Sequence, residues 1–146
     1  MRDFLLLLGD KLFGHLVPIR FVMFALVGAV GILGHLAVLR LGIATGLGFP
    51  WAQGVATACA VLGNFTLNNL FTFRDLRLRG WNIVRGLVTF SLISSVGAAA
   101  NTSVADLLFG PAHSAWWFAG LAGAAISLVW NYAASSTLTW RRVRTA

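Results

Sequence analysis

The chain has 146 residues, 58% of them hydrophobic and 10% charged, with a formal net charge of +7. A single domain with so few charges cannot cover itself with a water-soluble surface, which excludes an ordinary soluble globular protein. The basic balance alone would suit nucleic-acid binding, but the placement of the charges along the chain argues against nucleic acid and for a membrane.

Taken in chain order, the first segment is residues 1–18. From Phe4 to Leu16 a short apolar run is broken by Asp10 and Lys11 and lacks a small-residue cleavage site, so it does not read as a cleaved signal peptide. Leu5, Leu8, Leu12 and Leu16 fall on one helical face, which predicts a short interfacial helix lying on the cytoplasmic surface. Four apolar stretches follow, at 19–41, 50–73, 83–108 and 115–139. Each supplies the roughly 20 residues of helix that a hydrocarbon core requires. They are continuous rather than alternating, unlike the strands of a membrane barrel. The predicted fold class is therefore an all-α membrane protein with four transmembrane helices over 19–141 and a basic tail over 142–146.

The charges set the expected topology. Arg2, Lys11 and Arg20 precede the first span, Arg74, Arg77, Arg79 and Arg85 fill the middle loop, and Arg141, Arg142 and Arg144 follow the last. Of the 11 basic residues only Arg40 lies near the opposite side. The positive-inside rule then places both termini in the cytoplasm of a multi-pass protein of the inner or plasma membrane, with anionic lipids as partners of the same surface. Trp81 and Trp140 are expected at the inner boundary, Trp51, Trp116 and Trp117 at the outer one, and Trp130 within a span as a packing residue. Cys59, alone in the second span, reads as a structural apolar side chain.

The spans pair into two similar halves, Arg20 to Arg74 and Arg85 to Arg141. Each starts with an arginine, has a glycine mid-helix (Gly31, Gly97) and a proline in its outer loop (Pro50, Pro111), and ends on a related stretch: NFTLNNLFTFR at 64–74 and NYAASSTLTWR at 131–141. Two spans per unit make this a parallel repeat, with a pseudo-twofold axis along the membrane normal. In this alignment His35 meets Asn101 and Arg40 meets Asp106. Gly28, Gly31 and Gly34, with Ala25, form a small-residue strip for helix packing on the first span; Ala98 to Ala100 and the Ala119-to-Ala125 run do the same on the third and fourth.

The chain has four aspartates, all at or beyond the membrane boundary, and no glutamate. A proton-coupled exporter of this length would keep an acid inside the membrane. No carboxylate pair, nucleophile–base set, metal-ligand cluster or phosphate-binding glycine loop is present, so the expectation is a protein that is not an enzyme and carries no metal or cofactor. What remains is polar groups within the spans. Asn64 and Asn68, four apart, share a face near the cytoplasmic end of the second span, and Asn131 and Ser135 hold the matching positions of the fourth. Helix-to-helix hydrogen bonding and ligand contact are about equally good accounts of the asparagines. Nearby Arg74 and Arg141 favour a ligand, because a guanidinium donates two parallel bonds to a phosphate. The candidate substrate-binding set is Asn64, Asn68, Arg74, Asn131, Ser135 and Arg141, with Arg20 and Arg85 recruiting the anion.

RFVMFALVGAVG opening the first span, NFTLNNLFTFR closing the second and its degenerate copy closing the fourth resemble the GtrA-like family. The resemblance runs from about 19 to 141, and its most specific element is Asn64, Phe65, Asn68, Thr72 and Phe73. A basic residue commonly follows the second asparagine in that family; here the position is Asn69, and Ser136 in the second copy, leaving Arg74 and Arg141 as the phosphate-facing cations. The resemblance implies a role in cell-surface polysaccharide or glycolipid synthesis: a translocase for a polyprenyl-phosphate-linked monosaccharide, or a scaffold that recruits a membrane glycosyltransferase. Four short spans enclose little volume, so a homodimer is the more plausible form of a path.

Overall fold

The computed structural model describes residues 18–109 and 116–141. The predicted interfacial helix, Pro111 and the basic tail lie outside the described residues, as do the side chains of Trp116 and Trp117. All regular structure among the described residues is helical: α1 (Ile19–Ala44), α2 (Phe49–Leu67), α3 (Trp81–Phe109) and α4 (Trp116–Ala134). Both α2 and α4 continue into a π turn, Asn68–Thr72 and Ser135–Thr139 respectively, and a 3-10 turn, Arg74–Leu76, follows the first of these. With the π turns counted as part of α2 and α4, the bounds track the four predicted stretches closely; the largest difference is then the end of α1, at Ala44 rather than 41.

Among the described residues, three segments are long and apolar enough to cross a membrane: Ile19–Ala44, Trp81–Leu108 and Phe118–Thr139. The second predicted span is helical but falls short of the same apolarity, because Gln53 and Asn64 dilute it. The chain divides into two compact units at Arg77 and Leu78. Each unit is a helical hairpin.

In the first hairpin, Pro18 is extended (ψ 132°) and its carbonyl accepts the Phe21 N–H at 2.8 Å, starting α1. The helix stops at Thr45, whose hydroxyl donates to the carbonyls of Leu41 (3.1 Å) and Gly42 (2.9 Å). Gly46 takes a positive φ of 89°, open to glycine without steric cost, and reverses the chain. Pro50 sits in the first turn of α2, where its missing N–H would have no helical partner in any case. Phe24, Val27 and Gly31, spaced three and four apart, are buried in the seam of α1; Ala52, Ala56 and Phe65 are buried on α2. Near the connection a Cβ on Gly42 would stand 3.0 Å from the Ala52 Cβ, so the helices are tight there as well.

The second hairpin begins after Gly80, whose φ of 54° turns the chain into α3. Phe90, Ile93 and Gly97 are buried on α3, and Ala119 and Gly123 on α4. Trp130 was expected to pack; it is exposed, but its indole N–H donates to the Ile93 carbonyl at 3.1 Å, tying α4 to α3.

Three expectations need correction. The small-residue strip does not pack as a strip: a Cβ at Gly28 or Gly34 would meet nothing, and only Gly31 is in close contact. On α3 it is Gly97 that is buried, while Ala98 and Ala99 are exposed. Threefold spacing drifts around a helix of 3.6 residues per turn, so one strip cannot stay on one face. Cys59 lies on the exposed face of α2 rather than in its seam. Trp51 and Trp81 are exposed, as boundary tryptophans should be, but Trp140 is wholly buried.

Gly31→Ala and Gly97→Ala are each expected to destabilise the protein by about 1–3 kcal/mol through overpacking. Gly28→Ala and Gly34→Ala should stay within about 0.5 kcal/mol of the parent. Thermal unfolding in detergent measures all four; equal losses across the set would mean that α1 packs through another face.

Candidate functional site

Asn64 and Asn131 stand in the same local setting. The Asn64 amide, on α2, presses onto Gly31 of α1: a Cβ on that glycine would overlap the amide oxygen and lie 2.6 Å from its Cγ and Nδ2. Asn131, on α4, presses onto Gly97 of α3, where the corresponding separations are 2.9 Å. Both amide oxygens are buried and accept no conventional hydrogen bond, so each faces the Cα–H of its glycine, a weak donor common at helix–helix contacts. The second hairpin adds a reciprocal contact: Asn101 of α3 covers Gly123 of α4 so closely that a Cβ would overlap the amide oxygen. His35 and Ala56 hold these positions in the first hairpin, half-buried and buried respectively. Asn64 and Asn131, two of the three predicted site asparagines, thus each pack against a glycine of the neighbouring helix.

One turn further on, the hairpins differ. Asn68 is 1% exposed, and its side chain is fully used: Nδ2 donates to the Asn64 carbonyl at 2.9 Å, and Oδ1 accepts from the Thr72 hydroxyl at 2.7 Å. The amide braces the π turn along one column, Asn64–Asn68–Thr72. The second hairpin has Asn131–Ser135–Thr139 in the same order, but serine is too short to bridge. Ser135 and Thr139 are both buried, and neither hydroxyl has a partner. Thr72 and Thr139 complete columns that were predicted only as pairs; the i, i+4 spacing contains the signal.

Each π turn delivers an aromatic ring to the base of its hairpin. The chain leaves the turn through Phe73 (φ −111°, ψ 35°) or Trp140 (φ −111°, ψ 49°). Phe73 meets Phe24 edge-on at 6.4 Å, and Trp140 meets Phe90 at 5.7 Å. Phe73 and Trp140 are both completely buried. Trp140 is therefore a core residue and not an interfacial one.

The next residues are Arg74 and Arg141, and both are exposed. A buried ring anchors the backbone, and the guanidinium projects from the helix end immediately after it. Arg20, in the first turn of α1, pairs with Asp75, a residue the sequence reading had not singled out. Arg85 is exposed on the first turn of α3. It is not the register equivalent of Arg20. The spacing that matches Phe24 with Phe90 and Gly31 with Gly97 sets Gly86 there, so Arg85 lies about 100° round the helix. Asn69, at the position where a cation was expected, is buried. The structure therefore brings Asn64 with Asn68, and Asn131 with Ser135, into buried columns, and sets the arginines at exposed ends.

A helical membrane protein built of hairpins with cationic ends is the class these features define. Residues 23–140 match the family described as GtrA/DPMS, transmembrane domain. The chain belongs to that family, and it is a multi-pass membrane protein. It is also 34% identical over 122 residues to a dolichol-phosphate mannosyltransferase of Pyrococcus furiosus, a match covering 83% of this chain. The chain spans about a third of that relative, 34% of its length.

Ser135→Asn is expected to restore the missing bridge to Thr139 and stabilise the protein by about 1 kcal/mol, while Asn68→Ser should cost about 1–3 kcal/mol by orphaning Thr72. Opposite shifts in unfolding temperature check the pair. A destabilising Ser135→Asn would mean that the second turn has no room for an amide.

Proposed function

We propose that this chain facilitates the passage of a polyprenyl-phosphate-linked monosaccharide across the cell membrane, with both termini in the cytoplasm. In this reading α2 and its π turn form a fourth span, and the two hairpins are parallel copies of one duplicated unit. The carrying observation is the pair Arg74 and Arg141, each exposed directly after a buried aromatic at the end of a π turn. Cations fixed at helix ends by buried rings suit an anionic head group that must be gripped at the membrane boundary. Membership of the family, and likeness to a protein named for dolichol phosphate, support a lipid-linked sugar as the cargo.

The prenyl tail stays in lipid, so only the sugar phosphate needs a polar path. The phosphate is recruited by Arg74 and Arg141, with Arg20 and Arg85 as further cations. Asn64, Asn68 and Asn131 act mainly by holding the helices, and Ser135 gives its hydroxyl to a head group only if the second π turn opens. The chain itself performs no bond chemistry; direction comes from consumption of the sugar on the far side. A second copy widens the path.

A scaffold role is favoured by one specific fact: the match covers a third of a protein named as a transferase, which suits a membrane domain that holds such an enzyme. Reconstituted vesicles separate the readings. The double variant Arg74→Gln, Arg141→Gln should lose about tenfold or more of lipid-linked sugar transport, since each charged hydrogen bond contributes roughly 1.5–3 kcal/mol. Both side chains are exposed, so the variant should unfold at the parent's temperature. Unchanged transport overturns the site. No transport by the parent, with a glycosyltransferase retained in a pull-down, selects the scaffold.

A further inference from the structure

The pairing of Arg20 with Asp75 has no counterpart at the matching positions of the second hairpin. The register that matches the hairpins sets Gly86 at the place of Arg20 and Arg142 at the place of Asp75. The second hairpin nevertheless closes through the same edge-on aromatic contact, Phe90 on Trp140. A structural staple is thus redundant here. Asp75 is also chemically conspicuous. It is the one acid in a connection that carries Arg74, Arg77 and Arg79, in a chain with four aspartates and no glutamate.

The geometry is that of an occupied anion site. The Asp75 carboxylate accepts from the Arg20 guanidinium across 55 residues of sequence, joining the first turn of α1 to the 3-10 turn after α2. The two side chains are 34% and 47% exposed, so an anion from outside can reach the pair. Arg74, adjacent in sequence to Asp75, is exposed as well. An ion pair at this exposure contributes little, whereas a phosphate offers more charge and several acceptor oxygens to the same fork.

We propose that Asp75 is a built-in competitor for the phosphate at Arg20: the carboxylate holds the guanidinium in place and yields it when a phosphate-bearing ligand arrives. The exchange is purely electrostatic and makes or breaks no covalent bond. It rests on the reading that this end of the protein receives a phosphorylated lipid, and it names the residue that tunes the affinity. The shared chemistry is an anionic phosphate group, borne by a membrane lipid or free in solution.

The test uses the full chain in nanodiscs of zwitterionic lipid, titrated separately with a polyprenyl monophosphate, with phosphatidylglycerol and with inorganic phosphate. Asp75→Asn is expected to tighten binding by about two- to fivefold, the factor that loss of an exposed competing pair allows. Adding Arg20→Gln should abolish that gain. A gain confined to the lipids identifies a membrane-borne head group; a gain with inorganic phosphate too identifies the free ion as a ligand. A gain that persists in the double variant is generic loop charge and overturns the proposal, as does weaker binding by Asp75→Asn. The wild-type chain gives a check that no folding defect can blur. The Arg20 side-chain N–H resonance, assigned through Arg20→Lys, should move on titration with a phosphate ligand that binds, and an unmoved resonance overturns the exchange. Transport is not read in this experiment. The phosphatidylglycerol arm stands even if the cargo proves to be another molecule, which keeps failure of the exchange apart from failure of the translocation reading.

Discussion

Each hairpin depends on an asparagine amide pressed against a glycine of the neighbouring helix. Lipid offers no hydrophobic drive for two helices to associate, so the gain comes from close contact and dispersion. A glycine allows that contact because any Cβ at Gly31 or Gly97 would overlap the opposing amide. The amide oxygen surrenders strong donors and faces a Cα–H instead, a trade that makes sense only where backbones meet closely. The contact also sets register, since an amide that must find a glycine cannot slide along the helix.

Once register is set, the ends of the hairpins follow. Four residues past the asparagine comes Asn68 or Ser135, and four further comes Thr72 or Thr139, all on the buried face. A continuing α-helix would carry the next aromatic away from that face. The π turn adds a residue to the loop closed by the backbone hydrogen bond, as in the Phe73 N–H to Asn68 carbonyl bond at 2.8 Å and the Trp140 N–H to Ser135 carbonyl bond at 3.0 Å. The ring thereby swings beneath the partner helix, and the arginine after it emerges at the surface. Packing in the middle of the membrane and charge at its edge are parts of one construction.

Helix ends were legible because apolar length and flanking arginines are one-dimensional properties, and α1 to α4 fall where those properties change. Which face of a helix is buried was far less legible. A seam residue such as Val27 and an exposed one such as Leu33 are equally apolar, so hydropathy does not separate them when the surroundings are also apolar. That is why Cys59 was read as a structural residue and why Gly28 and Gly34 were grouped with Gly31. Trp140 misled for a different reason: it follows a π turn, where a 3.6-residue period no longer predicts direction. Asn64, Asn68, Asn131 and Ser135 were found because polar groups stand out in such helices, yet the sequence did not separate packing from binding. Asp75 was overlooked because its partner lies 55 residues away.

The two hairpins share their closing geometry and differ in chemistry, and the differences lie at the ends where a head group would be handled. The first has a braced π turn and an arginine already neutralised by an internal carboxylate. The second has two unpaired buried hydroxyls and, at the matching places, a glycine and a further arginine. A site through which a molecule passes must bind well enough to admit it and weakly enough to release it. On the proposed reading, Arg74 and Arg141, which pair with no carboxylate among the described residues, serve capture of the phosphate. On the same reading, Arg20 with its Asp75 carboxylate serves release, because the acid returns as the phosphate leaves. The differences at Ser135 and Asp75 thus give the two hairpins chemically unlike ends, without altering the glycine contacts on which both stand.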